Sequence, residues 1–247
     1  MNQRFFSSVC LFCIIAAGSL FVSCKSAPKA ADPDFLGNYP PRQFEPLMGN
    51  TIDQGKNDLT PREVKFVFYP MGNAVQMKFR YSISNINITL LQKDREAMIT
   101  AMKKYIDEYQ NGKLTDANNK KKAYFGKTQA FLMWGLLAPT NYAKPDFRFE
   151  YQIVSTKKPY FVIGNASSSE TDVEGYLLPG GGNSPAIRVA FSPIQCQNII
   201  EMLNQEALLK VIKDLDAEAA LFDIPADAAA APAADGTALP AEPKELF

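Results

Sequence analysis

Histidine is absent from all 247 residues. Without imidazole the chain has no Ser-His-Asp triad, no histidine-ligated zinc or di-iron site and no side chain whose ordinary pKa switches between pH 5 and 8. An excess of either charge is missing too: 26 Lys and Arg balance 26 Asp and Glu, so no overall field favours a polyanion or a membrane surface. Cysteine is scarce, with four residues, and there is one tryptophan. What is present is an ordinary globular composition, 47% hydrophobic and 21% charged, of a length that fits one domain or two small ones.

The first 24 residues read as an address. Arg4 is followed by an uncharged run, Phe5 to Val22, a charged n-region before an h-region. Eighteen residues of helix would span roughly 27 Å, so length alone leaves an uncleaved anchor open. The end of the run carries more information: Phe21-Val22-Ser23-Cys24 is two apolar residues, a small one and a cysteine. It resembles the lipobox of bacterial lipoproteins. The usual lipobox has Leu three residues before the cysteine, and Phe21 in that place resembles the relaxed form of spirochaete lipoproteins. The resemblance implies cleavage after residue 23, diacylation of Cys24 and a lipid-anchored place in the bacterial cell envelope, at the inner or outer membrane. It covers about a tenth of the chain and implies no activity.

Cys10 and Cys13 would leave with the signal peptide, so their C-x-x-C spacing is not a redox motif. With Cys24 acylated, Cys196 is the one free thiol, and no internal disulfide is expected. It falls in the first turn of an expected helix, where the dipole would lower its pKa, but without a histidine to act as base it reads as a packed cysteine.

Residues 24–62 read as the lipidated cysteine and a tether, with prolines at 28, 33, 40, 41, 46 and 61 and no sustained periodicity. Phe35, Leu36, Tyr39, Phe44, Leu47 and Met48 are more apolar than a spacer requires, so the 35–48 stretch either belongs to the tether or docks on the body. At the other end, 223–247 is rich in Ala and Pro and reads as a disordered tail, with five acids against Lys244.

The middle, 63–222, is long enough to bury a sizeable core. Val64, Phe66 and Phe68 share one strand face; Pro70-Met71-Gly72-Asn73 turns the chain; Val75, Met77, Phe79, Tyr81 and Ile83 share the next face. The phase then slips at Ser84-Asn85 to Ile86, Ile88 and Leu90, which implies a bulge or turn. A helical stripe from Ala97 to Tyr109 stops at Gly112. The apolar run Tyr124 to Leu137 and the alternating Phe147, Phe149, Tyr151 and Ile153 follow, then returns at 160–163, 176–178 and 187–191. Ser192-Pro193-Ile194-Gln195 combines an N-cap serine, proline at the first helical position and a capping-box glutamine, opening a helix whose stripe runs from Ile199 to Leu215. The fold class expected is α+β, an antiparallel sheet with two long helices on one face, with a possible internal duplication of strands then helix, 63–112 and 124–222. The later half, four strands then a helix, resembles the repeat of PUR-type and whirly single-strand nucleic-acid binders in element order only; no base-stacking motif accompanies it and no nucleic acid is expected as a partner.

Motifs that would carry chemistry fail on context. Gly126-Lys127-Thr128 resembles the end of a phosphate loop, but Lys121 stands where the earlier glycine is needed and a strand follows. Ser155-Thr156-Lys157-Lys158 has S-x-x-K spacing in a hairpin turn, where the helical geometry of that chemistry is missing. The triple glycine at 180–182 reads as a connection between strands. Asp214 and Asp216, and likewise Asp94, Glu96, Lys103 and Lys104, read as solvated helix charges. No catalytic residue, metal ligand or cofactor is assigned. The apolar density at Phe131, Met133 and Trp134 points either to core or to a ligand- or partner-binding groove. The function expected is a membrane-anchored envelope lipoprotein with a noncatalytic binding or scaffold role toward an envelope protein or lipid; the alternative is an envelope hydrolase or transferase using carboxylates or lysines.

Overall fold

The computed structural model describes residues 34–53, 57–116, 123–139, 141–167 and 183–222, with side chains described up to Glu218 in the last helix. Short strands β1 (Arg42–Gln43) and β2 (Leu47–Ile52) precede β3 (Leu59–Tyr69) and both pair antiparallel with it. Their registers differ by one residue, so β1 and β2 act as one edge interrupted near Phe44, whose N–H still reaches Phe66 O at 3.0 Å. Gly49 sits where an added Cβ would lie 2.9 Å from Val64 Cγ2 and 3.0 Å from Phe191 Cε1. Its missing side chain lets β2 pass close beneath two core residues.

From β3 the chain turns at Pro70–Gly72 into β4 (Ala74–Tyr81). Asn73 closes that turn at φ 44° with its N–H on Pro70 O, a conformation that asparagine tolerates. The expected phase slip is a two-residue hairpin: Tyr81 pairs with Ser84, and Ser82-Ile83 turns into β5 (Ser84–Leu90). Ile83 therefore belongs to the turn, 59% exposed, and not to the buried face of β4.

The second half is organised by one long hairpin. β6 (Gly126–Gln129) runs through Ala130 into β7 (Phe131–Gly135), and β8 (Asn141–Ala143) runs into β9 (Asp146–Ile153). Gly126 pairs with Phe149, Gln129 with Asp146, Leu132 with Ala143 and Trp134 with Asn141 in a single register, bridged by Ala130 N–H to Pro145 O. On its outer sides β7 also pairs with β5, and β9 pairs with β10 (Pro159–Asn165). β11 (Arg188–Phe191) then joins β10 to β2. The hairpin thus links the two ends of the sheet, and the strand pairings run in a closed circuit.

Helix α1 (Gln92–Gln110) follows β5 and α2 (Pro193–Leu203) follows β11. At the end of α1, Gly112 N–H bonds Tyr109 O and Lys113 N–H bonds Glu108 O, a Schellman close. Met98, Met102 and Tyr105 of α1 share one core with Cys196, Ile199 and Leu203 of α2 and with Phe66, Met77, Ile88, Phe149 and Phe161 from the strands. Around Tyr105 the rings of Phe125, Tyr151 and Phe161 pack at tilted and edge angles, a geometry that aromatic pairs favour. A second, smaller cluster joins Ile52, Val154, Val162 and Ala190.

The α+β class holds, with a sheet larger than the helices and, among the described residues, three α-helices in place of two. Asn204 ends α2: its side chain bonds Ile200 O and Glu201 O and accepts the Ala207 N–H, capping α3 (Gln205–Phe222). The expected tether, 24–62, is strand in its second half, because Gly49 and Ile52 find buried places, and Leu47 a half-buried one, between β3 and β11. Upstream of it Leu36 N–H bonds Pro70 O and Tyr39 OH bonds Asp216, so the 35–48 stretch is docked. Strand structure preceding α1 accordingly begins at Arg42, not at 63. Asp216 is a hydrogen-bond acceptor for Tyr39, which raises the Tyr39 pKa, and Asp94 is buried, so neither is merely a solvated charge. The signal peptide, Cys24, the 176–178 strand, the 180–182 glycines and the 223–247 tail lie outside the described residues.

Candidate functional site

Side chains on a strand alternate between faces, so the residues that build the core of β3, β4 and β5 leave a complementary set on the outer face. On β3 these are Glu63, Lys65, Val67 and Tyr69; on β4, Gln76, Lys78 and Arg80; on β5, Asn85, Asn87 and Thr89. Register aligns them in rows. Lys65 lies directly opposite Lys78, Lys78 opposite Asn87, Asn87 opposite Met133 and Met133 opposite Tyr142. The next row toward the Ser82-Ile83 turn places Arg80 opposite Asn85 and Asn85 opposite Gly135.

A groove of about 440 Å³ opens over these rows, lined by Arg62, Glu63, Lys65, Lys78, Arg80, Asn85 and Asn87 and closed at one end by Leu137 and Pro139. Four cations stand against one carboxylate, and that carboxylate, Glu63, is already paired with Lys65 at 2.9 Å. Lys78 donates to Tyr69 OH at 3.3 Å and lies 5.8 Å from the centre of that ring; Tyr69 OH in turn donates to Gln76 Oε1 at 3.0 Å. Arg62 Nη1 bonds Pro61 O at 3.4 Å, while its Nε is buried without a partner among the described residues. Like charges directly across a strand pair repel. Lys65 and Lys78 face each other in register, with Lys65 Nζ turned to Glu63 and Lys78 Nζ to Tyr69 OH.

The groove's closed end is the β7–β8 tip. Asn85 Nδ2 donates to Leu136 O at 3.0 Å and Leu137 O at 3.2 Å, tying the tip to β5. Gly135 is enforced, since a Cβ there would collide with the Ala138 carbonyl oxygen. Leu136 is 66% and Leu137 95% exposed.

The residues singled out from sequence separate. Trp134 points inward, opposite Ile86, and is part of the core; Phe131 and Met133 lie on the outer face, beside the groove's rows. The dense apolar run is therefore two faces of one strand, core on one side and half-exposed on the other, and not one groove. Lys144 Nζ covers the Phe131 ring at 5.0 Å. Cys196 is buried and burial pushes its thiol pKa well up, against the dipole's pull expected from its helical position. Lys127 pairs with Asp146 on a strand, and Ser155 to Lys158 form the β9–β10 turn, as the sequence context required. Asp94 Oδ2 accepts the Leu91 N–H and Oδ1 accepts Thr128 Oγ1–H at 2.6 Å, so it caps α1 and pins it to β6.

Sequence reasoning missed the groove residues. Their signal was present in the positions between the apolar ones, Lys65, Lys78 and Arg80, but the confrontation of two lysines exists only once register is fixed. No cluster of three or more metal-ligating residues occurs among the described residues, and no helix there is long and apolar enough to cross a membrane.

Comparison with known proteins places this domain in a family. Residues 41–210 match a family described as an uncharacterised Treponema protein, and the chain belongs to that family. The matched span begins one residue before β1 and ends within α3. A Treponema pallidum (strain Nichols) protein, described only as uncharacterised, is 34% identical over 203 residues, 81% of this chain and 70% of its own length. This Treponema lineage fits the spirochaete side of the leader's resemblance. No solved structure matches, so the element-order likeness to PUR-type and whirly repeats has no support from this comparison.

Proposed function

We infer that this protein is a spirochaete envelope lipoprotein, anchored through Cys24, whose body binds an anionic ligand on the outer face of β3–β5 without turning it over. The observation that carries the reading is the Lys65–Lys78 juxtaposition inside a groove where Arg62 and Arg80 add charge and a single paired carboxylate subtracts it. Asn87 supplies an amide donor beside those cations, which suits an oxyanion presented at the groove mouth, while the Asn85 amide holds the tip through Leu136 O and Leu137 O. The volume fits a headgroup-sized or small-molecule ligand. The groups that could act as base or nucleophile are already engaged, Glu63 with Lys65 and Lys78 with Tyr69 OH, which favours holding a ligand over turning it over.

The anchor has a separate test. Cells fed labelled palmitate should incorporate it into the wild-type chain, and Cys24→Ala should abolish both incorporation and maturation; continued labelling of the variant contradicts the anchor. Binding is tested against catalysis by assaying purified protein on peptidoglycan, phospholipid and peptide, where turnover that one Lys65→Gln or Glu63→Gln change removes would overturn the noncatalytic reading.

A further inference from the structure

We propose that the end of the sheet carrying the 82–83 turn and the 136–139 tip docks on a bilayer rich in anionic phospholipid, with the basic groove holding the headgroup phosphates. The proposal deepens the reading above and rests on it for the anchor that keeps the body near a membrane.

The argument is one of charge and apolar residues placed at matching depths. Asn85 pairs with Gly135, which puts the Ser82-Ile83 turn and the 136–139 tip at the same end of the sheet. Three large apolar side chains at that end, Ile83, Leu136 and Leu137, are exposed at 59%, 66% and 95%. Exposed leucines scattered singly are ordinary, but three large apolar side chains gathered at one sheet end mark an interaction surface; the charges beside them are mixed, with Asp53 near Tyr81 and with cations in excess over Glu63 in the groove. Behind this tip stands Arg80, about 10 Å back along the strand, and behind that the Lys65–Lys78 row, about 7 Å further. Apolar groups that enter a bilayer interface sink about 5–10 Å, which would bring Arg80 to the phosphates and leave the lysines about 7 Å above them, within the reach of the surface potential. The order along the strand, apolar end, then arginine, then facing lysines, fits the layered chemistry of an anionic leaflet.

The anchor's reach is compatible with this pose. Leu36 is fixed at Pro70, the far end of the β3–β4 hairpin from the tip, and the eight residues of β4 make that separation about 26 Å. Twelve residue steps separate Cys24 from Leu36 and can span up to about 40 Å, enough to let an acylated Cys24 and the tip meet the same membrane.

The test uses the full chain with Trp134→Phe, so that a single introduced tryptophan reports. Leu137→Trp on that background should shift its emission to the blue with vesicles of phosphatidylcholine and phosphatidylglycerol and much less with phosphatidylcholine alone. Met71→Trp, at the opposite end of the hairpin and 60% exposed, should not respond. Adding Lys78→Gln or Arg80→Gln should weaken the partition about fivefold each. Equal shifts at 137 and 71, indifference to phosphatidylglycerol, or the same shift with a single-stranded oligonucleotide in place of vesicles would overturn the proposal. In the chain that keeps Trp134, Leu137→Asn should reduce co-sedimentation with the charged vesicles, and unchanged co-sedimentation would also overturn it. Palmitate labelling followed on the same protein separates the two readings. Acylated Cys24 with a silent reporter refutes docking alone; a responsive reporter without acylation refutes the anchor alone.

Discussion

Arg95 offers the sharpest test of how the fold is held. It lies at the start of α1 with no exposed surface, and no carboxylate pairs with it among the described residues. Its Nη1 donates to Asn73 O at 2.9 Å, and Nη2 donates to Asn73 Oδ1 at 3.1 Å and to Gln205 Oε1. One side chain therefore ties the β3–β4 turn, the first turn of α1 and the α2–α3 junction. Burial pushes its pKa down from 12.5 to about 10, with Glu96 and Asp34 opposing that fall, so the buried cation costs about 3 kcal/mol at neutral pH. Arg95→Met keeps the stem's volume and removes that cost. It also removes three charge-assisted hydrogen bonds worth about 1.5–3 kcal/mol each and strands buried acceptors, so the loss outweighs the relief and a net destabilisation of about 3 kcal/mol follows. Urea unfolding should show a lower midpoint with unchanged slope. The pH dependence has a fixed sign: a base with a depressed native pKa is penalised below that pKa and relieved as pH rises from about 10 toward 12.5. Wild type should thus gain on Arg95→Met over that range. A neutral-pH difference below about 1 kcal/mol would refute the claim that this network holds three elements together.

Two further outcomes follow from buried polar contacts. Tyr105 is fully buried with its OH on Pro159 O at 2.9 Å, and burial raises its pKa; its neutral form is favoured in the native state, so stability present below pH 10 falls as pH rises above it, and Tyr105→Phe should flatten that alkaline loss while costing about 1 kcal/mol at pH 7. Thr128→Val removes the hydroxyl that Asp94 accepts from and should lower stability by about 1–2 kcal/mol in thermal unfolding, with Asp94→Ala costing at least as much because the α1 cap goes too.

What the sequence disclosed was governed by local periodicity. Val64, Phe66 and Phe68, and later Phe147, Phe149 and Tyr151, alternate because their strands each bury one face, and Ser192 with Gln195 forms the capping box its spacing announced. β2 was hidden because it is short, carries Gly49 where packing forbids a side chain, and gains part of its burial from β11, a partner far along the chain. The closed circuit is likewise a matter of non-local pairing. Trp134 looked like part of an apolar site because a dense run conceals which residues face inward; the pleat assigns Trp134 to the core and Met133 to the surface. The break at Asn204 follows from a side chain that can serve both as stop and as cap, while the stripe from Ile199 to Leu215 stays continuous in sequence. The groove needed register as well as pattern: Lys65 and Lys78 are thirteen positions apart in sequence and face each other only because Pro70–Asn73 sets the hairpin as it does.

The most direct test of the central claim is amide hydrogen exchange on the acylated protein held on bilayers with and without phosphatidylglycerol. Added protection confined to the 82–83 turn, the 136–139 tip and the neighbouring ends of β4 and β5, and dependent on the anionic lipid, is the predicted result. Protection centred on α3, or none that distinguishes the two bilayers, would contradict it.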